Sequence, residues 1–208
     1  EALTRMAVHT YVMDAARVMT AGAVDRGEKP AVISAMVKYH MTERMRQAVN
    51  DAMDVQGGSA ICMGPRNYIA RMYQAIPISI TVEGANILTR SLIIFGQGAV
   101  RCHPFVYKEM QAVYDSGAKR GLRDFDQAFF GHVGFTLSNA VRALWLGLTG
   151  ARWTRVPVTG ALKRDYQHLT RLSAAFALSA DMAMLVLGGA LKRKEKLSGR
   201  FADAFSHL

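Results

Sequence analysis

Apolar residues recur at three- and four-residue intervals along almost the whole chain, and no useful stretch alternates with period two. The pattern predicts an all-α protein built as a helical bundle. A first helix runs from about Leu3 to Asp25, with one line through Met6, Thr10, Met13 and Arg17 and a second through Val8, Tyr11, Val12, Ala15, Val18 and Met19. Gly27 and Pro30 in "DRGEKP" end it. A second helix, from about Ala31 to Val55, carries Ile33, Met36, Val37, His40, Met41, Arg44 and Met45. Gly57 and Gly58 stop it before the irregular "GGSAICMGPRN". Shorter helices follow over about Asn67 to Ala75, Asn86 to Gly96 and Phe105 to Tyr114.

"DSGAKRGLRDFD" reads as a linker, which places a boundary near Gly117 between a unit over 1–116 and a second helical unit over 117–208. The second unit has two long apolar helices, about Phe125 to Leu148 and Leu162 to Lys194. They are joined by "TGARWTRVPVTG", where Arg152, Trp153 and Arg155 read as a loop anchored by its indole. The run from Leu172 to Leu191 is nearly long enough to span a bilayer. Asp181 at its centre and the small residues around it favour a helix buried in a tight bundle. A chain that starts at Glu1 and stops at "FSHL", inside an amphipathic run, reads as a piece of a longer protein, and it shows no signal-peptide pattern.

Half the residues are hydrophobic, which makes the chain globular, and the formal net charge is +10. Such a charge suits nucleic acid, an acidic lipid surface, or an anionic small molecule such as a nucleotide or coenzyme A. Basic residues are scattered except in "LKRKEKLSGR", which lacks interleaved aromatics and reads as a solvated face; no nucleic-acid motif is present. Cys62 and Cys102 lie in neither metal-like nor CxxC spacing, as expected of reduced thiols in a cytoplasmic setting. No histidine falls in HExxH or Glu-x-x-His spacing, so no metal site is expected. His40 and Glu43 in "HMTE" read as a surface or groove contact, and His103 before Pro104 as a turn residue.

Two stretches stand out. "DVQGG", residues 54–58, ends a helix in paired glycines, and "SITVEGANILTR", residues 79–90, sets one carboxylate, Glu83, before Gly84 in an otherwise uncharged run up to Arg90. A carboxylate among apolar residues is exposed, paired or functional, because burying an unpaired charge is costly. With "IARMYQ" between them, and Arg90 seven residues after Glu83, these stretches resemble the C-terminal helical domain of the acyl-CoA dehydrogenases. That domain carries a Q-x-x-G-G helix end, an R-D helix and E-G-T-x-x-I-x-R in the same order. The resemblance covers about Leu3 to Pro104, and residues from about Phe125 resemble the extra helical extension of the large bacterial fatty acyl-CoA dehydrogenases. Asp54 stands where the family has Gln, and Ala85 where it has Thr.

The resemblance implies that Glu83 is the catalytic base of an FAD-dependent enzyme of fatty-acid β-oxidation. It would remove the α-proton of a fatty acyl-CoA while the β-hydrogen leaves as hydride to the flavin, giving a trans-2-enoyl-CoA. Such a proton needs a close base in an apolar setting, which raises carboxylate basicity; Ile80, Val82 and Ile87 supply apolar neighbours in sequence. Gly84 would leave room for the thioester. Asp54, Val55, Gln56, Gly57 and Gly58 would lie against the FAD of a neighbouring subunit, with Ala85, Asn86 and Ile87 on its other side. The family further implies a homo-oligomer and an electron-transferring flavoprotein as acceptor. The expected location is cytoplasmic, in keeping with the reduced thiols, with peripheral association with the inner membrane as a further expectation. Without the flavin-binding β-domain, these 208 residues alone are expected neither to hold FAD nor to turn over. The competing reading is a non-enzymatic basic helical interaction module at a membrane surface.

Overall fold

The computed structural model describes residues 1–208, and every regular element in it is helical. The chain forms two compact units, Glu1–Ile94 and Phe95–Leu208.

In the first unit, α1 (Ala2–Asp25) and α2 (Ala31–Gln56) form an antiparallel hairpin. The start of α1 meets the end of α2: Arg5 forks onto Asp51, its Nε 3.0 Å from Oδ2, and Arg44 Nη1 donates to Nδ1 of His9 at 3.2 Å. The Arg5 hydrogen bond holds the Asp51 carboxyl below the usual carboxylate range. Of the two lines on α1, the one through Thr10, Met13 and Arg17 faces Met41, Thr42 and Met45 of α2. The other, through Val8, Tyr11, Val18 and Met19, is exposed.

The short α3 (Gly58–Ile61) follows, and Asn67 ties it to α4 (Ile69–Thr81). Its amide nitrogen donates to the carbonyls of Ser59, Ala60 and Cys62, while its oxygen accepts the N–H of Ala70. The core of this unit is Val49 of α2 with Ile69 and Ile76 of α4, packed against Met45, Met53 and Ile80. That packing explains why α4 runs past the expected stop near Ala75 and through Pro77. Burying Ile76 and Ile80 outweighs the backbone hydrogen bond that proline cannot donate. After a loop over 82–85 come α5 (Asn86–Leu88), a π-helical stretch (Thr89–Gln97) and α6 (Gly98–Arg101); the division between units falls inside the π-helical stretch.

In the second unit, α7 (Val106–Val113) packs on the long α8 (Ala118–Thr149), which packs on α9 (Lys163–Leu187). The expected boundary near Gly117 is corrected: α7 belongs with α8. A Cβ at Gly121 would stand 2.7 Å from the carbonyl oxygen of Ala112, so the bare glycine lets the two backbones close together. The expected linker is largely the first turns of α8. Asp115 starts it by accepting the N–H of Gly117 at 2.7 Å and pairing with Arg120 at 2.7 Å.

A 3₁₀ turn (Gly160–Leu162) precedes α9, and a second (Gly188–Arg193) leads to α10 (Glu195–His207). The helix expected to reach Lys194 therefore breaks at Gly188. The amphipathic α10 lies beyond the elements predicted from the pattern; its Phe201 stacks on Phe95 with ring centroids 4.5 Å apart, and its Phe205 stacks on Phe176 at 5.2 Å. The loop after α8 is held by Gln167, whose buried amide donates to the carbonyls of Arg152 and Thr154, while the Trp153 indole is three-quarters exposed. By length and composition, Gly160–Arg193 is apolar enough to cross a membrane. Its expected burial in a tight bundle holds for one face only: Ala174, Ala180, Asp181 and Ala183 are buried, whereas Leu185 and Val186 are exposed.

Candidate active-site loop

The loop over 82–85 turns the chain between α4 and α5 with two consecutive left-handed residues, Glu83 at φ +54° and Gly84 at φ +93°. For Gly84 this conformation is free; for Glu83 it costs on the order of 1–2 kcal/mol, which the surroundings must supply. They do so from α2. Lys38 Nζ donates to the carbonyl of Gly84 and to Oδ1 of Asn86, each at 2.7 Å, with the carbonyl of Ile80 at 3.5 Å. Asn86 is buried, and its amide nitrogen donates to Thr42 Oγ1 at 2.9 Å and Glu43 Oε1 at 2.8 Å. Thr89 Oγ1 reaches the Gly84 carbonyl at 3.5 Å. Both ends of the loop are thus tied to one helix, and the Glu83 side chain points outward.

Three sequence expectations change at this loop. Glu83 is exposed, not enclosed by apolar neighbours; Val82 and Ile87 are themselves 48 % and 79 % exposed, because the turn directs them away from the core. Asn86, expected at the flavin, has its side chain turned inward and engaged by α2. Glu43, read with His40 as a groove contact, belongs to this loop's support. Ile87 remains available on the outside, with Ala85 half-buried beside it.

The other stretch ends α2. Gly57 adopts φ +58°, ψ −134°, a combination that favours glycine. A Cβ at Gly57 or Gly58 would meet nothing within 4 Å, and both glycines are exposed together with Asp54 and Val55. This open end of main chain fits close approach by a dinucleotide. Gln56 is committed elsewhere: its amide donates to the Tyr68 hydroxyl at 2.5 Å.

A polar cluster absent from any sequence motif lies in the second unit. His103 Nε2 is 2.9 Å from Asp181 Oδ1, His132 Nε2 is 3.6 Å from the same oxygen, and His132 Nδ1 is 2.8 Å from Glu109 Oε1. Thr136 donates to Asp181 Oδ2 at 2.8 Å. The donor atoms of His103, His132 and Asp181 fall within 4.8 Å of one another, close enough to suggest a metal. However, His103 Nδ1 accepts the backbone N–H groups of Phe105 and Val106, at 3.2 and 3.1 Å. Its proton therefore sits on Nε2, which lies close to Asp181 Oδ1 but out of hydrogen-bond alignment with it, and that nitrogen has no lone pair for an ion. The cluster joins α7, α8 and α9 by polar contacts, and His103, expected as a turn residue, also starts α7. Burial pushes the His103 imidazole below its usual range, against the opposing pull of Asp181.

The held Glu83–Gly84 loop and the paired-glycine end of α2 thus lie in one all-helical unit. The family profile described as "Acyl-CoA dehydrogenase, C-terminal domain" matches residues 1–96, and "Acyl-CoA dehydrogenase, C-terminal, bacterial type" matches residues 100–208. The chain belongs to the acyl-CoA dehydrogenase family. No solved structure matches it.

Proposed function

We propose that the chain is the C-terminal helical part of an FAD-dependent dehydrogenase that oxidises fatty acyl-CoA to trans-2-enoyl-CoA in β-oxidation, with Glu83 as the α-proton base. The observation that carries this reading is the held loop: Glu83 projects from a left-handed turn in which the Gly84 carbonyl is gripped by Lys38 of α2. A base so fixed takes a proton from a bound thioester without first reorganising. Bound FAD supplies the hydride acceptor. Gly57 and Gly58, with Asp54 and Val55, offer main chain and an open surface to the FAD of a neighbouring subunit, and Gly84 leaves the thioester side clear. Gln56, Ala85, Asn86 and Ile87 flank these positions; of the four, Ile87 is the side chain free to touch a cofactor.

Reoxidation by an electron-transferring flavoprotein and assembly as a homo-oligomer follow from the same reading. We further infer a cytoplasmic enzyme touching the inner membrane. The support is the outward Leu185 and Val186 on α9, followed by the exposed basic run Lys192, Arg193, Lys194 and Lys196.

Glu83→Gln in the full-length enzyme is the direct test. It is expected to lower kcat at least about 10²–10⁴-fold, the usual worth of a positioned base, while flavin content and thermal midpoint stay near wild type. Retained turnover refutes the assignment.

A further inference from the structure

We propose that Lys38 is a positioning residue for proton abstraction, acting through the backbone that carries Glu83; the inference rests on the reading of Glu83 as base. Lys38 lies in "SAMVKYHMTE" on α2, 45 residues before Glu83, and belongs to neither of the two recognised stretches. Its ammonium has three N–H donors and three oxygens around it: the Gly84 carbonyl and Asn86 Oδ1 at 2.7 Å, and the Ile80 carbonyl at 3.5 Å. Ile80 precedes the loop, Gly84 lies within it, and Asn86 begins the next helix, so one cation ties down both approaches to Glu83.

The arrangement is specific to an ammonium. A guanidinium is bulkier and fixes its donors in one plane, so it cannot place three donors around a single nitrogen as Lys38 does, and an apolar side chain would leave the Asn86 oxygen and the Gly84 carbonyl without their donor. Asn86 completes the clamp. Its nitrogen is held by Thr42 and Glu43, one helical turn beyond Lys38, so its oxygen is aimed at the ammonium. Thr42 is itself fixed, its hydroxyl donating to the Lys38 carbonyl at 2.9 Å. What Lys38 opposes is the strain at Glu83: without the grip on Gly84, the φ +54° turn has a less costly extended alternative that moves the carboxylate away from its line of attack.

The test uses the full-length FAD enzyme with saturated acyl-CoA substrates from octanoyl to hexadecanoyl, in protonated and α,α-dideuterated forms. Lys38→Met is expected to lower kcat on the order of 10²-fold, the cost of a misplaced catalytic group, with KM and flavin content near wild type. The deuterium isotope effect on kcat should rise, because proton removal becomes the slow step. Lys38→Arg should fall between Met and wild type in both quantities. A residue that only stabilises the fold would reduce the active fraction and leave the isotope effect unchanged. If Lys38→Met fails to fold, Lys38→Arg decides, since its lowered kcat must still come with a raised isotope effect. Unchanged kcat in the folded variants, or lost activity with an unchanged isotope effect, overturns the proposal. Glu83→Gln, assayed alongside, separates the two claims. An active Glu83→Gln enzyme refutes the base assignment and with it the positioning role, whereas an inactive one beside a normal Lys38→Met enzyme refutes Lys38 alone.

Discussion

Two glycines in α8 should respond in opposite directions to the same substitution. Gly134 lies mid-helix, and a Cβ there meets nothing within 4 Å. Gly134→Ala therefore gains only the relief of glycine's backbone entropy, about 0.5–1 kcal/mol. Gly121 would gain a similar amount, but its Cβ would sit 2.7 Å from the Ala112 carbonyl oxygen and 3.3 Å from the Asp115 Cβ. The nearer obstacle is backbone, so α7 must move away from α8, a strain that typically costs about 1–3 kcal/mol. The two variants should differ by about 1–3 kcal/mol, roughly 2–12 °C in Tm for a chain of this size. In the 208-residue chain, urea denaturation followed by fluorescence reads the right unit, because its two tryptophans, Trp145 and Trp153, both belong to it. Far-UV circular dichroism checks that helix content is unchanged in native buffer. The expected midpoints place Gly134→Ala above wild type and Gly121→Ala below it. A Gly121→Ala protein as stable as the Gly134→Ala protein would refute the close approach of α7 to α8.

Acid should weaken the second unit in a window set by His103. Its imidazole is pushed below 6.5 by burial, so under that pH the unfolded chain takes up a proton that the folded chain refuses. Stability that is full above pH 6.5 should decline as pH falls through the folded value. His103→Asn, which keeps an acceptor for the start of α7, should flatten the denaturation midpoint between pH 7 and 5; an unchanged slope refutes the role of His103. The Asp51 carboxyl, held low by its hydrogen bond from Arg5, adds a separate loss in the first unit as pH falls below the ordinary carboxylate value of 3.8. For the membrane surface, flotation with anionic vesicles should recover the protein at low salt and lose it as salt rises, since exposed charges are screened. Recovery unaffected by salt, or no flotation at all, refutes the charge-assisted contact.

How much of this was legible varied with the distance over which each feature is determined. Helical spacing predicted α1 and α2 nearly to the residue, because their pattern is local. The start of α8 was misread because Asp115, Gly117 and the charged residues after them compose both a turn and a helix start, and only the packing of Gly121 against Ala112 decides between them. Glu83 could be singled out from one carboxylate in an uncharged run, yet its exposure and left-handed backbone could not. Lys38 left a faint signal, a lone cation among Ala35, Met36, Val37 and Met41, but its partners lie more than 40 residues away. The same applies to Asp181. Its charge at the centre of an apolar helix was plain, while His103 is 78 residues distant and outside any motif.

The helix that supports the loop also carries the paired glycines, and this makes α2 a ruler. From Lys38 to Gln56 it advances eighteen residues, roughly 27 Å at about 1.5 Å per residue. A straight rod of that length fixes the separation between the clamp under Glu83 and the open main chain at Gly57, whatever happens to the side chains between them. No compact molecule touches both ends. Whatever reaches the glycines while a thioester meets Glu83 is either extended over most of that span or held by another subunit, and one helix then serves two addresses at a constant distance.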